Sequence, residues 1–355
     1  MPPFIRGLEL SRLFYTEAVR PLLGDLPHTA ARVGPGSDVL GYDSARSTDH
    51  DWGPRLDLFL TPDDVARHGT DLAQRLSDHL PKRFRGWSTH FVAAVDDGPV
   101  RVRADTDGPV AHMVRIGDIS SWCDAELGFD PRAGVTLLDW LATPWQRFAE
   151  VTGGAVFHDG LGLGAVRAAL AWYPHDVWRH VLAAQWTRIS QEEAFVARTA
   201  EAGDDFGSRL VAARMCREAA RLCLLLARRW PPYQKWLGVA VAGLPVAAHL
   251  AGALRASDIG AREAALCAAY EQIGAAQNAL GLAAAVPATR RPYHSRPYAV
   301  IGADRFAAAL VQAVEDPLVR ALPPVGGVDQ VVDSTDVLVR PALCRAIMKP
   351  TMIVA

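Results

Sequence analysis

The sequence predicts an α+β protein, with a small mixed-sheet α/β head over residues 1–150 followed by an all-α helical bundle over residues 151–355. Three observations predict it. Short strand-like runs are confined to the N-terminal part. Long stretches with apolar residues at helical spacing fill the rest. Between the two patterns, Thr152-Gly153-Gly154 breaks the periodicity, which puts the boundary near Glu150 to Phe157. With 50% apolar and 21% charged residues, the composition is that of a globular protein with a sizeable core.

The head begins with a helix. Leu8, Leu10, Leu13, Phe14, Ala18 and Leu22 recur close to helical spacing over Leu8 to Leu23. Ala30 to Val33 is a short strand that ends at Gly34-Pro35-Gly36. Leu56-Asp57-Leu58-Phe59-Leu60 alternates its leucines as a half-buried strand does. Thr61-Pro62-Asp63-Asp64 then reads as an N-cap with proline at the first helical position, opening a helix that runs to about Leu80. Two more strands follow, Thr89 to Val95 and Ala111 to Ile116, separated by turn residues such as Asp96-Asp97-Gly98-Pro99. Beyond the boundary, helices are expected over 176–200, 206–229, 233–253, 261–282 and 303–314.

Several function classes are excluded by bulk properties. The net charge of −2 gives no global field for nucleic acid or an anionic membrane. No dense Lys/Arg run is interleaved with aromatics, which also argues against a nucleic-acid partner. Cys123, Cys216, Cys223, Cys267 and Cys344 are odd in number and widely spaced, with no Cys-x-x-Cys pair. They read as core thiols in a reducing cytoplasm. The N-terminus lacks a basic-then-apolar signal pattern. The most apolar stretch, Leu237 to Leu254, contains Pro245 and His249 and reads as a buried helix or helix pair rather than a membrane span.

The chemistry is concentrated in one stretch. After the first strand comes Gly34-Pro35-Gly36-Ser37, and about a dozen residues later Asp49-His50-Asp51. Gly34 and Gly36 can take positive φ and let the backbone approach a ligand. Consecutive N–H groups there can point at phosphate oxygens, and Ser37 adds a hydroxyl donor. On extended backbone Asp49 and Asp51 face the same side. Two carboxylates held that close repel unless a cation sits between them. Mg²⁺ suits such a pair, because it binds one or two carboxylates together with substrate phosphates. A plain turn and a solvated loop capped by Asp49 are the structural alternatives.

Gly-Ser followed by Asp-x-Asp resembles the nucleotidyltransferase superfamily that includes DNA polymerase β and the aminoglycoside nucleotidyltransferases. The resemblance implies that Gly36 and Ser37 hold the triphosphate of ATP or another NTP, and that Asp49 and Asp51 ligate Mg²⁺ or Mn²⁺. Over more of the chain, Asp49-His50-Asp51-Trp52-Gly53-Pro54-Arg55, Tyr233-Gln234-Lys235-Trp236-Leu237-Gly238 and Val328-Asp329-Gln330-Val331-Val332-Asp333 resemble a bacterial family of unknown function with a nucleotidyltransferase-like head and a helical tail. The superfamily carries a third metal carboxylate on a neighbouring strand. Here the natural place, His112-Met113-Val114-Arg115-Ile116, has Arg115 at its centre. Asp118, just beyond, is the first candidate for that ligand, although it shares a strand face with Val114 and Ile116. Asp57 is the second.

In the helical half, Glu192 and Glu193 are candidates for the general base that the related antibiotic-modifying enzymes carry there. Adjacent helical residues point about 100° apart, so at most one of them faces a given cleft. Lys235, between Tyr233 and Trp236, is a candidate phosphate donor beside a base-stacking ring, or else part of a helix-start packing cluster. Arg214, Arg217, Arg221 and Arg228 form a stripe read as a wet face. His158 and Asp159 lack metal-ligand spacing, and Asn278, Asp329, Asp333 and Asp336 have cap or loop explanations. The implied function is metal-dependent transfer of a nucleoside monophosphate, with AMP the first choice, from an NTP to a hydroxyl of a small-molecule acceptor, releasing pyrophosphate. The alternative is a nucleotide-binding or regulatory protein that lacks transfer activity. No motif encodes the acceptor or an oligomeric state.

Overall fold

The computed structural model describes residues 2–94 and 100–352 and is α+β. The chain divides into two units: Met1–Val135 with Arg147–Ala171, and Thr136–Gln146 with Trp172–Ala355.

The first unit is built on a four-stranded mixed sheet. Its strands lie in the order Met113–Gly117, Arg55–Phe59, Thr29–Arg32, Ala155–Asp159. The first pairing is parallel, with Asp57 opposite Arg115. The other two are antiparallel. A parallel pair needs a crossover, and the helix Pro62–His79 lies within it, capped by Thr61 and opened by Pro62 as the sequence predicts. Leu56, Leu58 and Leu60 face a core that includes Leu10, Phe14, Leu72 and Leu76. The leucine alternation predicts a half-buried strand, yet Asp57 and Phe59 are buried as well. The second face is covered too: Phe59 meets the Trp122 ring edge-on at 5.5 Å. Trp122 comes from the helix Ile119–Leu127.

The first helix is wound in three ways. Gly7–Phe14 is α-helical, Tyr15–Val19 opens into a π turn and Arg20–Leu22 tightens to 3-10 geometry around Pro21. The expected Thr89–Val95 strand is observed as Phe91–Ala93, paired with Arg101–Arg103; Val95 and the expected turn 96–99 lie outside the described residues.

The strand Ala155–Asp159 and the helix Leu163–Ala169 belong to the first unit, past the expected break at 150/151. Gly153-Gly154 therefore introduces an edge strand instead of ending the head. Gly154 has φ +67°, its N–H donates to Val39 O at 2.9 Å, and a Cβ there would run into Arg32 O. Such a close backbone approach requires glycine.

The second unit is mainly helical. Its long helices are His175–Glu192, Asp205–Leu226 and Ile259–Ala279, around fully buried Trp178 and Trp186. The expected helix over 176–200 breaks at Glu193-Ala194 and resumes as Phe195–Glu201. The stretch 233–253 is a pair, Gln234–Val241 and Ala247–Arg255, with Pro245 in the break. The unit is not purely α: Arg291–Tyr293 and Arg296–Val300 form an antiparallel hairpin, turned at His294 with φ +55°. Among the described residues no helix is long and apolar enough to cross a membrane.

Candidate functional site

Strand direction sets the geometry of the head site. Thr29–Arg32 and Arg55–Phe59 are antiparallel, with Ala31 opposite Asp57. The turn that leaves the first strand and the loop that enters the second therefore emerge at the same end of the sheet. Gly34 to Ser37 forms the turn, and Asp49 to Pro54 forms the loop.

The turn is wrapped around an arginine. Arg32 is 2% exposed. Its Nε and Nη2 donate to the two carboxylate oxygens of Asp38 at 2.7 and 2.9 Å. Nη1 donates to Val33 O and Nη2 to Pro35 O, both at 2.8 Å. Asp57 accepts the Val33 N–H at 2.9 Å and lies 3.7 Å from Arg32 Nη1. Burial pulls the guanidinium pKa down, but Asp38 and Asp57 outweigh it and hold Arg32 above its ordinary value. Gly34 and Gly36 have φ of +80° and +153°, the positive values expected from the sequence. A Cβ on Gly36 would strike Asp38 and Arg32. No described residue accepts from the Gly36 N–H, the Ser37 N–H or the Ser37 hydroxyl, and both residues are half-buried. The turn thus has donors to spare, which an anion-holding turn requires.

The aspartate loop is held from its backbone. Arg103 donates to the carbonyls of Thr48 and Trp52 and stacks 4.8 Å from the Trp87 ring centroid. Arg55 donates to the Asp51 carbonyl. Burial, and secondarily the Arg32 charge, bring the Arg55 pKa down to about 10, so it stays cationic at neutral pH. The expected extended backbone is not found. Asp49 is helical, at φ −74° and ψ −44°, and Asp51 is left-handed at φ +44°. The 3-10 turn Ala45–Thr48, closed by a Ser44/Ser47 capping box, bends the chain before the aspartates. A hairpin strand then fixes Asp51: its N–H donates to Arg101 O at 2.8 Å, and its Oδ1 accepts the Arg101 N–H at 3.1 Å. Asp49 Oδ1 accepts the His50 N–H at 3.0 Å. Burial raises the Asp49 pKa, but that bond and the His50 ring together outweigh it and hold the carboxyl below its usual value.

Each aspartate thus has one oxygen engaged and one without a described hydrogen-bond partner. A carboxylate oxygen left over in this way is the kind of ligand a hard cation takes, together with phosphates and water. Among the described residues no group of three or more His, Cys, Asp or Glu side chains gathers as a metal cage.

Neither candidate for a third acid stands open. Asp118 is the N-cap of Ile119–Leu127 and accepts the Ser121 N–H at 2.9 Å. Asp57 is buried, and its Oδ1 accepts Arg115 Nε at 2.9 Å. The neighbouring-strand position is held by Arg115 itself.

In the helical unit Glu193 is committed to structure. Its carboxylate accepts the N–H groups of Ile301, Gly302 and Ala303 at 2.9, 3.3 and 3.0 Å, closing the N-terminus of the helix Ala303–Gln312. Burial raises its pKa further than those bonds lower it. The helix break at Glu193-Ala194 is what turns it that way, which no local pattern announces. Glu192 pairs with Arg214 at 3.0 Å. Lys235 is exposed, with Nζ 5.0 Å from the Trp236 ring centroid, and the Tyr233 N–H donates to Gln146 Oε1 at 3.0 Å. The arginine stripe is divided: Arg214 and Arg228 are exposed, as on a wet face, whereas Arg217 and Arg221, with Arg188, converge on Glu218, which is 0% exposed.

Sequence reasoning missed Arg32, Asp38 and Glu218. The first two had a signal: one arginine closing the apolar run Thr29-Ala30-Ala31, with an acid six residues on. Two surface hollows, one lined by Arg6 to Thr16 with Ala155 to Phe157 and one by Pro174 to Arg179 with Glu315 to Val319, include none of the predicted site residues.

The model of a family described as Domain of unknown function (DUF4037) matches residues 140–237. That stretch includes Glu192, Glu193 and Lys235 but not the glycine turn or the aspartate loop. No curated protein and no solved structure matches the chain.

Proposed function

We propose that the protein is a metal-dependent nucleotidyltransferase acting on an NTP, with ATP the first choice, and on a hydroxyl of a small-molecule acceptor. One observation carries this reading: antiparallel pairing brings the glycine-serine turn, whose Gly36 and Ser37 donors no described residue accepts, and the loop with Asp49 and Asp51 to the same end of one sheet. In the reaction, the acceptor oxygen forms a bond to the α-phosphorus, the bridging α–β P–O bond breaks, and pyrophosphate leaves with that electron pair. The acceptor proton passes to a base or to water. Mg²⁺ or Mn²⁺, when bound by Asp49 and Asp51, supplies positive charge against the phosphates. The N–H groups of Gly36 and Ser37 and the Ser37 hydroxyl orient the phosphate chain, and positioning of this kind dominates such transfers. Arg55 and the Arg101 backbone hold Asp51 in a conformation that aspartate tolerates better than most residues. Glu193 has no part in this reading. The cysteine thiols fit a reducing cytoplasm.

The test is transfer of label from α-³²P-NTP across a panel of hydroxyl acceptors. Asp51→Asn keeps the left-handed backbone and the Arg101 bond but removes the charge, and should abolish transfer. Near-wild-type transfer by that variant would sink the assignment. A second reading, Mg²⁺-dependent nucleotide binding without transfer, is favoured by Arg115 standing opposite Asp57 where the superfamily resemblance implies an acid. It expects nucleotide binding without pyrophosphate release, and any nucleotidylated product disposes of it.

A further inference from the structure

Beside Gly34 the head carries donors that the chain itself does not use. Trp122 is 5% exposed, and its indole Nε1–H has no hydrogen-bond partner. A buried N–H left unsatisfied is costly, so native structures keep few of them. Nε1 lies 4.0 Å from the point where a Cβ on Gly34 would stand, and Arg115 Nη2 lies 3.5 Å from the same point. The positive φ of Gly34 keeps a side chain out of that spot.

Arg115 is anchored on one side only. Its Nε donates to Asp57 Oδ1 at 2.9 Å, and Nη2 lies 2.9 Å from the same oxygen. Its other contact, Nη1 to Glu126 Oε1, is long at 3.4 Å. Glu126 has a better partner in Arg147 Nη1 at 2.7 Å. Nη2, the nitrogen nearest the Gly34 point, carries a second N–H that an incoming anion can take while Arg147 keeps Glu126 neutralised. The Arg115 side chain is 44% exposed and gives the ligand its approach. Glu126 Oε1 lies 3.9 Å from the Gly34 point. It repels an anion unless Arg147 holds it.

We propose that Arg115 and the Trp122 indole N–H form, at Gly34, a subsite for the phosphate oxygens of a nucleoside triphosphate. The subsite rests on the nucleotide reading only for the identity of its ligand. In place of a third metal carboxylate the chain offers a fixed cation, and a guanidinium suits phosphate geometry.

The probe is inorganic tripolyphosphate added to the full-length protein without divalent metal. Calorimetry of the wild type, Arg115→Gln and Trp122→Phe gives affinities. The phenylalanine keeps an aromatic ring at the position and removes the donor along with part of the indole volume. Binding should weaken about tenfold or more in Arg115→Gln and about threefold or more in Trp122→Phe. In ¹H–¹⁵N spectra, the indole resonance missing from Trp122→Phe should move downfield as tripolyphosphate is added to the wild type. Circular dichroism checks that both variants fold, and the indole shift tests the wild type without substitution. Weakened binding together with the shift supports the subsite even if no acceptor is ever nucleotidylated. Wild-type binding with an unmoved indole and unchanged variant affinities overturns the subsite and leaves the nucleotide reading standing. If neither tripolyphosphate nor ATP binds, with or without Mg²⁺, both fall.

Discussion

Each unit gathers arginines around a buried acid, Glu218 in one and Asp57 in the other, and the clusters are finished differently. In the helical unit Glu218 accepts Gln185 Nε2 at 2.7 Å and Arg188 Nε at 3.2 Å, and meets Arg217 at 3.1 Å and Arg221 at 3.8 Å. The arginines reach on to the chain: Arg188 donates to Gln330 O and Arg221 to Asp329 O. Burial raises the Glu218 pKa, but the surrounding guanidiniums outweigh it and hold the carboxylate ionised. That cluster is closed on main-chain carbonyls. In the head, Arg32 is equally closed, yet its neighbours Arg115 and Trp122 keep donors that nothing in the chain takes. A closed charge cluster is architecture, whereas a cluster with surplus donors at a glycine turn is where a ligand is expected.

The contrast can be broken most forcibly at Glu218. Glu218→Leu leaves buried arginines without their counter-charge and should cost about 3–5 kcal/mol of stability. Denaturant unfolding measures it, and a loss below about 1 kcal/mol would mean that the cluster is not the closed support described. Next in size is a pH effect at Asp329, which sits beside Arg221 and accepts the Trp145 N–H at 2.8 Å. Burial raises its pKa to about 6, and Arg221 offsets only part of that. Its protonated form is favoured in the folded state, so its contribution is full below about pH 4 and is lost as pH rises through about 6. By linkage the loss is up to about 3 kcal/mol. From pH 4 to 7 the unfolding free energy of the wild type should fall by up to about 3 kcal/mol relative to Asp329→Asn. Parallel curves would refute it.

Smaller still is Glu193→Gln. Loss of a charged acceptor for several N–H groups should cost about 1–3 kcal/mol. Because Glu193 closes a helix, transfer activity at a temperature where the variant is folded should stay within about twofold of wild type. A drop of a hundredfold or more would restore it as a general base. The head substitutions Arg115→Gln and Trp122→Phe should move ligand affinity, whereas Glu218→Leu and Glu193→Gln should leave the affinity of the folded protein unchanged. That dissociation is what separates a ligand site from a structural cluster.

Much of the local structure was legible before any coordinates. Thr61-Pro62 announces its helix because capping and proline φ are one-turn physics. Gly34 and Gly36 announce positive φ for a similar reason. The π turn at Tyr15–Val19 and the left-handed Asp51 were not legible, because packing against other segments imposes them. The edge strand Ala155–Asp159 was hidden by its glycine pair, which serves a close approach to Arg32 rather than a domain boundary.

The sequence by itself determined the α+β class, the positions of most helices and the glycine turn followed by paired aspartates, since these depend on propensities and spacing within a few residues. Only the tertiary structure decided which charges meet. Asp57 and Arg115 lie far apart in the chain and face each other through parallel strand register. Glu193 finds three N–H groups from a distant helix end. Glu218 gathers arginines from two helices. Coulomb and hydrogen-bond energies act over a few ångströms of space whatever the separation along the chain, so the partners of a buried charge are settled by the fold.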